Sequence, residues 1–511
     1  MGYSSGLVEI DGEKLLIPDV VQVARHGTPV AISEAGKHKL ELARTIIDRL
    51  VTQNVVTYGV NTGFGKLSDV IISPEQTGQL QYNLITSHAG GVGEPFEEEI
   101  VRAILLLRAN TLTKGYSGIS TNIVETMIRM LNAGVHPLIP KKGSVGASGD
   151  LAPLAHMALV LIGEGEAFFQ GQRLAGRDAL QKAGLRPVTL KAKEGLALIN
   201  GTQVMGALAT IGVHDAEQLF KIANISAAIT IEALGGITAA FDKRLHVVRP
   251  HPGQIKCAEQ IMRLLSGSKL MSQAVYGRVQ DAYSLRCIPQ VHGASWDALE
   301  YTRRVIEIEI NSATDNPLVF PDQGEVVSGG NFHGQPLALA ADFLAMAVAE
   351  IGNIAERRIE RLVNPQLSGL PAFLAQDSGL NSGLMIGQYT AAALVSENKI
   401  LASPACVDSI PTSANQEDHV SMGSISTRKL RDIIQHTCYI LAIELLCGCQ
   451  AMEFRPKAMG RGTVIPYQLI RKVVPPLTRD RPIHGDIEAV YELIMTGKIV
   501  SEVEKEIGLL T

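Results

Sequence analysis

The sequence predicts a mainly α protein, a long helical bundle joined to a small α+β N-terminal region. Three observations lead there. From Lys193 onward, apolar residues recur at helical spacing through long, almost uninterrupted patterns. Hydrophobic residues make up 46% of the 511 residues and charged residues 19%, enough for a large core. Aromatics are only 5%, so Ala, Leu, Ile and Val do the packing, as suits close helix contacts.

The first thirty residues alternate apolar and polar character, with Pro18 as a stop and Gly27-Thr28-Pro29 as a turn, and predict short strands near Val8–Ile10 and Val30–Ile32. Ser33 opens a helix through about Leu50, whose apolar Leu40, Leu42, Ala43, Ile46, Ile47 and Leu50 recur at helical spacing. Tyr58 to Lys66, with three glycines and little periodicity, predicts a mobile loop. Helices follow over 74–88, 97–113 and 120–133, the last ending at Gly134, and then over 151–162. Glu166–Arg173 predicts a hairpin turning at Gly171. The long patterns are 203–235, 254–266, 290–312, 335–363, 383–402 and 426–450, with a short strand at Val326–Ser328. Glu356–Arg361 reads as a solvated or interface-facing turn, and the last ~45 residues, with Pro475-Pro476 and Pro482, read as peripheral. Residues 1–210 form an N-terminal region and 211–511 a central and C-terminal bundle, together one interwoven unit.

A formal net charge of −5 without a Lys/Arg-rich run argues against nucleic-acid binding. The N-terminus lacks a basic stretch followed by an apolar one, so a cytoplasmic location is expected. The most apolar segments are interrupted by Glu232 and Asp342, which argues against a membrane span. Six cysteines without a C-x-x-C in so long a chain read as reduced thiols, with Cys447 and Cys449 packed in a helix. No metal-ligand cluster is visible and no metal is expected.

The most informative stretch is Gly143-Ser144-Val145-Gly146-Ala147-Ser148-Gly149-Asp150-Leu151-Ala152-Pro153. Its Ala147-Ser148-Gly149 can condense with itself. The Gly149 nitrogen attacks the Ala147 carbonyl carbon, Ser148 loses its hydroxyl, and two waters leave behind an electrophilic alkene. Glycine permits a backbone approach that a Cβ would block, serine supplies a hydroxyl that can be eliminated, and alanine is small. An ordinary alternative is a Gly-rich turn into the next helix with Asp150 as its N-cap.

Gly143 to Gly165 resembles the signature of the aromatic amino acid ammonia-lyases and aminomutases, which carry the self-made 4-methylidene-imidazol-5-one (MIO) group. Tyr58-Gly59-Val60-Asn61-Thr62-Gly63-Phe64-Gly65 is similar to that family's catalytic tyrosine loop. Val279–Arg286, Ser328–His333 and Ser413–His419 also fit, in the family's order. The likeness covers nearly the whole chain. It implies the fumarase/aspartase-like helical superfamily architecture, with a small N-terminal active-site region, and a homotetramer whose active sites are shared between subunits. It also implies MIO as the only prosthetic group, with no dissociable cofactor.

Carried over by position, Ala147, Ser148 and Gly149 form the electrophile and Tyr58 is the base for the substrate's β-proton. A tyrosine at its ordinary pKa of about 10 needs nearby positive charge or oriented dipoles for that task. Arg286 matches the holder of the substrate carboxylate, where a guanidinium fork fixes orientation as well as charge. Gln280 and Tyr283 match polar neighbours of the substrate, Asn200 a contact to the electrophile's carbonyl oxygen, and Phe332 a position beside it. Glu417, with Gln416 beside it, and His88 match the histidine-specific pattern: a carboxylate accepts an imidazole N–H, whereas against a phenyl ring it would be costly. Alone, each has an ordinary reading. Tyr58 would be a loop aromatic, Asn200 a helix cap, Glu417 a helix N-terminal acid and His88 a helix-end histidine.

Addition of the substrate's amine or of its ring to the electrophile both stay open. The implied reaction is elimination of ammonia from L-histidine to trans-urocanate, in histidine catabolism. The near alternative is a MIO-type tyrosine or phenylalanine ammonia-lyase or 2,3-aminomutase. A non-catalytic scaffold would be expected to have lost the tripeptide, which is intact. The Gly-Ser-Ser-x-x-Met-Pro-x-Lys-x-Asn loop of fumarase/aspartase-type lyases is missing, as is the spacing of a P-loop or dinucleotide motif.

Overall fold

The computed structural model describes residues 6–271 and 279–510 and is mainly helical, with four small sheets of two or three strands. Strands form at the expected Val8–Ile10, Val30–Ile32 and hairpin over 166–175, and Glu325–Val327 overlaps the expected Val326–Ser328, whereas Val92–Pro95, Val135–Pro137, Pro140–Lys142 and Leu318–Phe320 are not among the expected strands. Val8–Ile10 pairs in parallel with Val30–Ile32, Glu166–Phe169 forms a hairpin with Gln172–Ala175, and Leu318–Phe320 pairs with Glu325–Val327.

Two compact units partition the chain. The first contains 1–214, 303–342 and 404–428; the second contains 215–302, 343–403 and 429–511.

In the first unit, Ser33 caps the Glu34–Thr52 helix by accepting from the Gly36 N–H at 3.0 Å. The apolar face of that helix, Ala43, Ile46 and Ile47, packs with Val60, Ala192 and Val319. Val60 thereby anchors the loop that carries Tyr58. The loop is also tied internally: Thr57 N donates to Asn61 Oδ1 at 2.8 Å, and Gly63 N to Val70 O at 2.9 Å. The segment is a loop, as expected, and these hydrogen bonds hold its turn. The Glu98–Thr113 helix is buried from Ile100 to Thr113, Arg102, Arg108 and Asn110 included. Pro18 begins a helix, Ile17–His26, rather than ending one. Proline in a first turn gives up an N–H that has no intrahelical acceptor, so it is tolerated there.

In the second unit, Glu356–Arg361 is the last part of the Gln335–Val363 helix, not a solvated turn. Arg358 is fully buried and meets Glu444 through Nε and Nη2 at 2.5 and 2.9 Å. Glu444 also accepts from Thr230 Oγ1, and Arg358 reaches His292 Nε2 at 3.3 Å. A charged hexapeptide looks solvated in one dimension, but a buried partner far along the chain satisfies its central cation. The C-terminal segment forms three helices, Val464–Val473, His484–Met495 and Lys498–Ile507, with buried Ile470, Val490, Ile494, Ile499 and Val503. Cys447 and Cys449 are buried in the Gly423–Ala451 helix, as expected.

Two helices, Gln335–Val363 and Gly423–Phe454, are long and apolar enough to cross a membrane by length and composition. Of their most apolar windows 67% and 83% are buried within the protein, the behaviour of core helices. Asp342, the interruption noted in the sequence, is buried and accepts from Ala405 N, Cys406 N and Ser426 Oγ at 2.8–2.9 Å.

Candidate active site

The tripeptide Ala147-Ser148-Gly149 lies in a bend ahead of the Leu151–Leu161 helix. Gly149 has φ +74°, and a Cβ there would overlap the Gly201 carbonyl oxygen, so both conformation and space require glycine. The Gly201 carbonyl also accepts from Asp150 N at 2.7 Å. On the other side, Ser421 Oγ donates to Gly146 O at 3.2 Å and Met422 N to Val145 O at 3.0 Å. The reactive stretch is therefore clamped at both ends by segments distant in sequence.

Asp150 does not cap its own helix through its side chain. Its Oδ2 accepts from Val204 N and Met205 N at 3.0 and 2.9 Å, at the start of the Gln203–Ala233 helix, and its Oδ1 accepts from Ser424 Oγ at 2.8 Å. Burial pushes the Asp150 carboxyl up to about 6, against the opposing effect of these donors. It is a buried staple that joins the tripeptide to a second helix.

Asn200 is buried and occupies the C-cap of the Glu194–Ile199 helix. Its Nδ2 donates to Asn316 O at 2.9 Å, while its Oδ1 is buried without a hydrogen-bond partner. The neighbouring Gly201 forms a parallel bridge with Gly149. A glycine whose Cβ has no room beside the tripeptide fits a ring formed there.

Tyr58 is half-buried and its hydroxyl accepts from Gly65 N at 3.4 Å. Its pKa is not depressed as expected. Burial raises it, the charges of Glu417 and Asp315 raise it further, and only the Gly65 N–H opposes them. Gly65, at φ +53°, lies close to Glu417. A Cβ there would sit 2.8 Å from Ser413 Oγ and 3.5 Å from Glu417 Oε1.

Glu417 follows three consecutive residues in the left-handed region: Ser413, Ala414 and Asn415 at φ 51°, 52° and 63°. None is glycine, and such a run is costly for L-residues. The following helix starts only at Gly423, so Glu417 is not a helix N-terminal acid. Its main chain bridges Thr412, and its Oε2 is buried without a partner. The adjacent Gln416 is exposed and its N–H donates to Ser413 O at 3.1 Å.

His88 is the last residue of the Thr77–His88 helix, with Nδ1 3.1 Å from Ser87 Oγ. Burial lowers its pKa, opposed by a backbone hydrogen bond to Leu84 and by the Glu417 charge. Its imidazole is therefore neutral near pH 7, with one ring nitrogen an acceptor. Phe332 is half-buried in the turn after Gly329-Gly330, and Gly329 N donates to Asn316 Oδ1 at 2.7 Å.

Gln280, Tyr283 and Arg286 lie in the second unit. Gln280 and Tyr283 are exposed; Arg286 Cζ stacks 4.6 Å over the Tyr283 ring and its Nε is buried without a partner. Within the first unit, the charge of Glu417 acts on Tyr58 and His88, Gly149 is bridged to Gly201 beside Asn200, and Asn316 joins Asn200 to the turn that carries Phe332. Sequence reasoning missed Asn316, Ser421 and Ser424, whose links to the site span more than a hundred residues. Among the described residues no cluster of three or more His, Cys, Asp or Glu could hold a metal.

Residues 15–472 match the family model described as aromatic amino acid lyase. The chain is 58% identical over 503 residues to the histidine ammonia-lyase of Alkaliphilus oremlandii, covering 98% of this chain and 99% of that one. It is similar to the crystal structure of histidine ammonia-lyase from Trypanosoma cruzi, with a TM-score of 0.92, 44% identity, and 98% and 95% of the two chains covered. It is also similar to tyrosine aminomutase from Streptomyces globisporus, with a TM-score of 0.94, 39% identity and 98% of each chain covered.

Proposed function

Because the chain belongs to the aromatic amino acid lyase family and is a carbon–nitrogen lyase, we propose that it eliminates ammonia from L-histidine to give trans-urocanate, with a MIO group formed from its own Ala147, Ser148 and Gly149. The observation that carries the substrate choice is the buried, unpartnered Glu417 Oε2 in a site that also holds His88 and Tyr58. A carboxylate oxygen removed from water and left unbonded is costly until a donor arrives. An imidazole N–H is such a donor, as is a phenol O–H, whereas a phenyl ring is not. The relatives named histidine ammonia-lyase, at up to 58% identity over nearly the full chain, support the same choice.

The chemistry supplied by the prosthetic group is that of an electrophilic alkene. The chain's own residues do the rest. Gly149 and Gly201 leave room for ring closure where a side chain would not. Tyr58, as the phenolate that the Gly65 N–H stabilises, takes the substrate's β-proton on its phenolic oxygen and becomes neutral. Glu417 accepts an N–H of the substrate ring, and neutral His88 offers a second polar contact to that ring. Arg286, whose Nε is unpartnered, grips the carboxylate, with Tyr283 and Gln280 beside it. Asn200 offers the second N–H of its Nδ2 to the electrophile's carbonyl oxygen, Phe332 lines the group, and Gln416 supports Glu417. The working form is a homotetramer in the cytoplasm, serving histidine catabolism, with active sites shared between subunits.

The test has two readouts. Intact-protein mass is expected to fall short of the encoded chain by two waters, and parallel assays are expected to show histidine turned over well above tyrosine and phenylalanine. In Ser148→Ala the mass deficit and nearly all turnover are expected to vanish while the circular dichroism spectrum stays native. Wild-type turnover in that variant, or tyrosine turnover with negligible histidine turnover in the parent, would remove the proposal.

A further inference from the structure

We infer that the buried Lys193–Asp315 ion pair is a positioning device that holds two parts of the active site through Asn316; this rests on the reaction proposed above. Lys193 Nζ meets Asp315 Oδ2 at 2.8 Å with both side chains fully buried, so neither touches substrate directly. Burying two charges is expensive, and replacing such a pair by apolar residues is often neutral or stabilising. Lys193 also sits at φ +74°, at the N-cap of the Glu194–Ile199 helix. A strained non-glycine backbone together with a buried ion pair at one point calls for a reason other than stability.

The hydrogen bonds around the pair give that reason. Asp315 Oδ1 accepts from Asn316 N at 2.7 Å and so orients the next peptide. Asn316 then serves two site elements. Its main-chain oxygen accepts from Asn200 Nδ2 at 2.9 Å, and its Oδ1 accepts from Gly329 N at 2.7 Å, at the base of the turn that carries Phe332. The preceding residue is held as well, because Gln203 Nε2 donates to Thr314 Oγ1 at 2.6 Å and Arg108 Nη1 reaches Thr314 O at 3.4 Å. The Glu194–Ile199 helix starts at Lys193 and ends at Asn200. One ion pair therefore fixes both ends of a short helix and the loop opposite it.

The test separates orientation from stability. In Lys193→Met/Asp315→Leu the charges go together, so the melting temperature is expected to stay close to that of the parent. The near-ultraviolet absorbance of the prosthetic group is expected to remain. The kcat for histidine is expected to drop about 10- to 100-fold with KM changed far less, the size of effect a displacement of about 1 Å produces in an active site. Where that variant does not fold, Asp315→Glu keeps the charge but moves the carboxylate by one methylene, and the same split between kcat and KM is expected. Parental kcat in a folded variant overturns the inference. So does loss of the absorbance together with activity, which would assign the pair to ring closure. A parent enzyme inactive on histidine, tyrosine and phenylalanine would instead overturn the proposed reaction, a result readable before any variant is made.

Discussion

At the scale of single residues, charge placement decides more than proximity. Tyr58 has no compensating cation among the groups that shift its ionisation; Glu417 and Asp315 both disfavour its anion, and burial does so more strongly. A base must lose its proton before it can act, so a pKa above the ordinary value places the rising limb of activity on the alkaline side. Removing one of the two negative charges favours the phenolate and moves that limb toward lower pH. Glu417→Gln is accordingly expected to do two things at once. Histidine turnover should fall about 10-fold or more, because a neutral amide cannot stabilise a charged imidazole as a carboxylate does. The limb of kcat/KM against pH should shift downward. A pH–rate profile of the variant checks both. An unshifted limb would separate Glu417 from Tyr58, and an unchanged rate would return Glu417 to a purely structural role.

At the scale of elements, what the sequence carries well is periodicity. The helices read over 97–113, 120–133 and 335–363 are found at Glu98–Thr113, Thr121–Ala133 and Gln335–Val363; the last two bury a face that recurs every three or four residues, while the first is buried on all sides from Ile100 onward. Features that rest on a distant partner were not legible. Pro18 is compatible with both ends of a segment, and only the burial of Val20, Val21 and Val23 shows that a helix follows it. Asp150 looks like a cap for the helix beginning one residue later, yet its carboxylate serves Val204 and Met205. The motif Ala-Ser-Gly-Asp was readable as chemistry; the clamp that Gly201, Ser421 and Ser424 place around it was not, since no local pattern announces those partners. The Asp150 staple makes its own prediction. Asp150→Ala leaves two helix N-terminal donors and Ser424 without their acceptor, so unfolding is expected to become easier by about 1–3 kcal/mol. Urea denaturation followed by circular dichroism measures this, and an unchanged midpoint would mean that the staple contributes nothing.

At the scale of the whole molecule, the question is which chain supplies each residue of one active site. Tyr283 is 70% exposed in the single chain, and Arg286 keeps a buried Nε with no partner. An exposed tyrosine and an incompletely satisfied guanidinium in the segment expected to grip substrate are what a site completed by association would leave behind. If Tyr58 and Arg286 of one site come from different subunits, two inactive variants can repair each other. Tyr58→Phe and Arg286→Ala are each expected to be nearly inactive alone. After coexpression at equal levels and random assembly, a site works only when the subunit giving its tyrosine is the Arg286→Ala chain and the one giving its arginine is the Tyr58→Phe chain. Chance alone then restores about a quarter of the sites. Activity measured on the purified mixed oligomer, with its mass checked by light scattering for four copies, gives the answer. Recovery near that fraction requires shared sites. No recovery from a verified mixed tetramer would place Tyr58 and Arg286 of each site on one chain, since both variants would then spoil every site they entered.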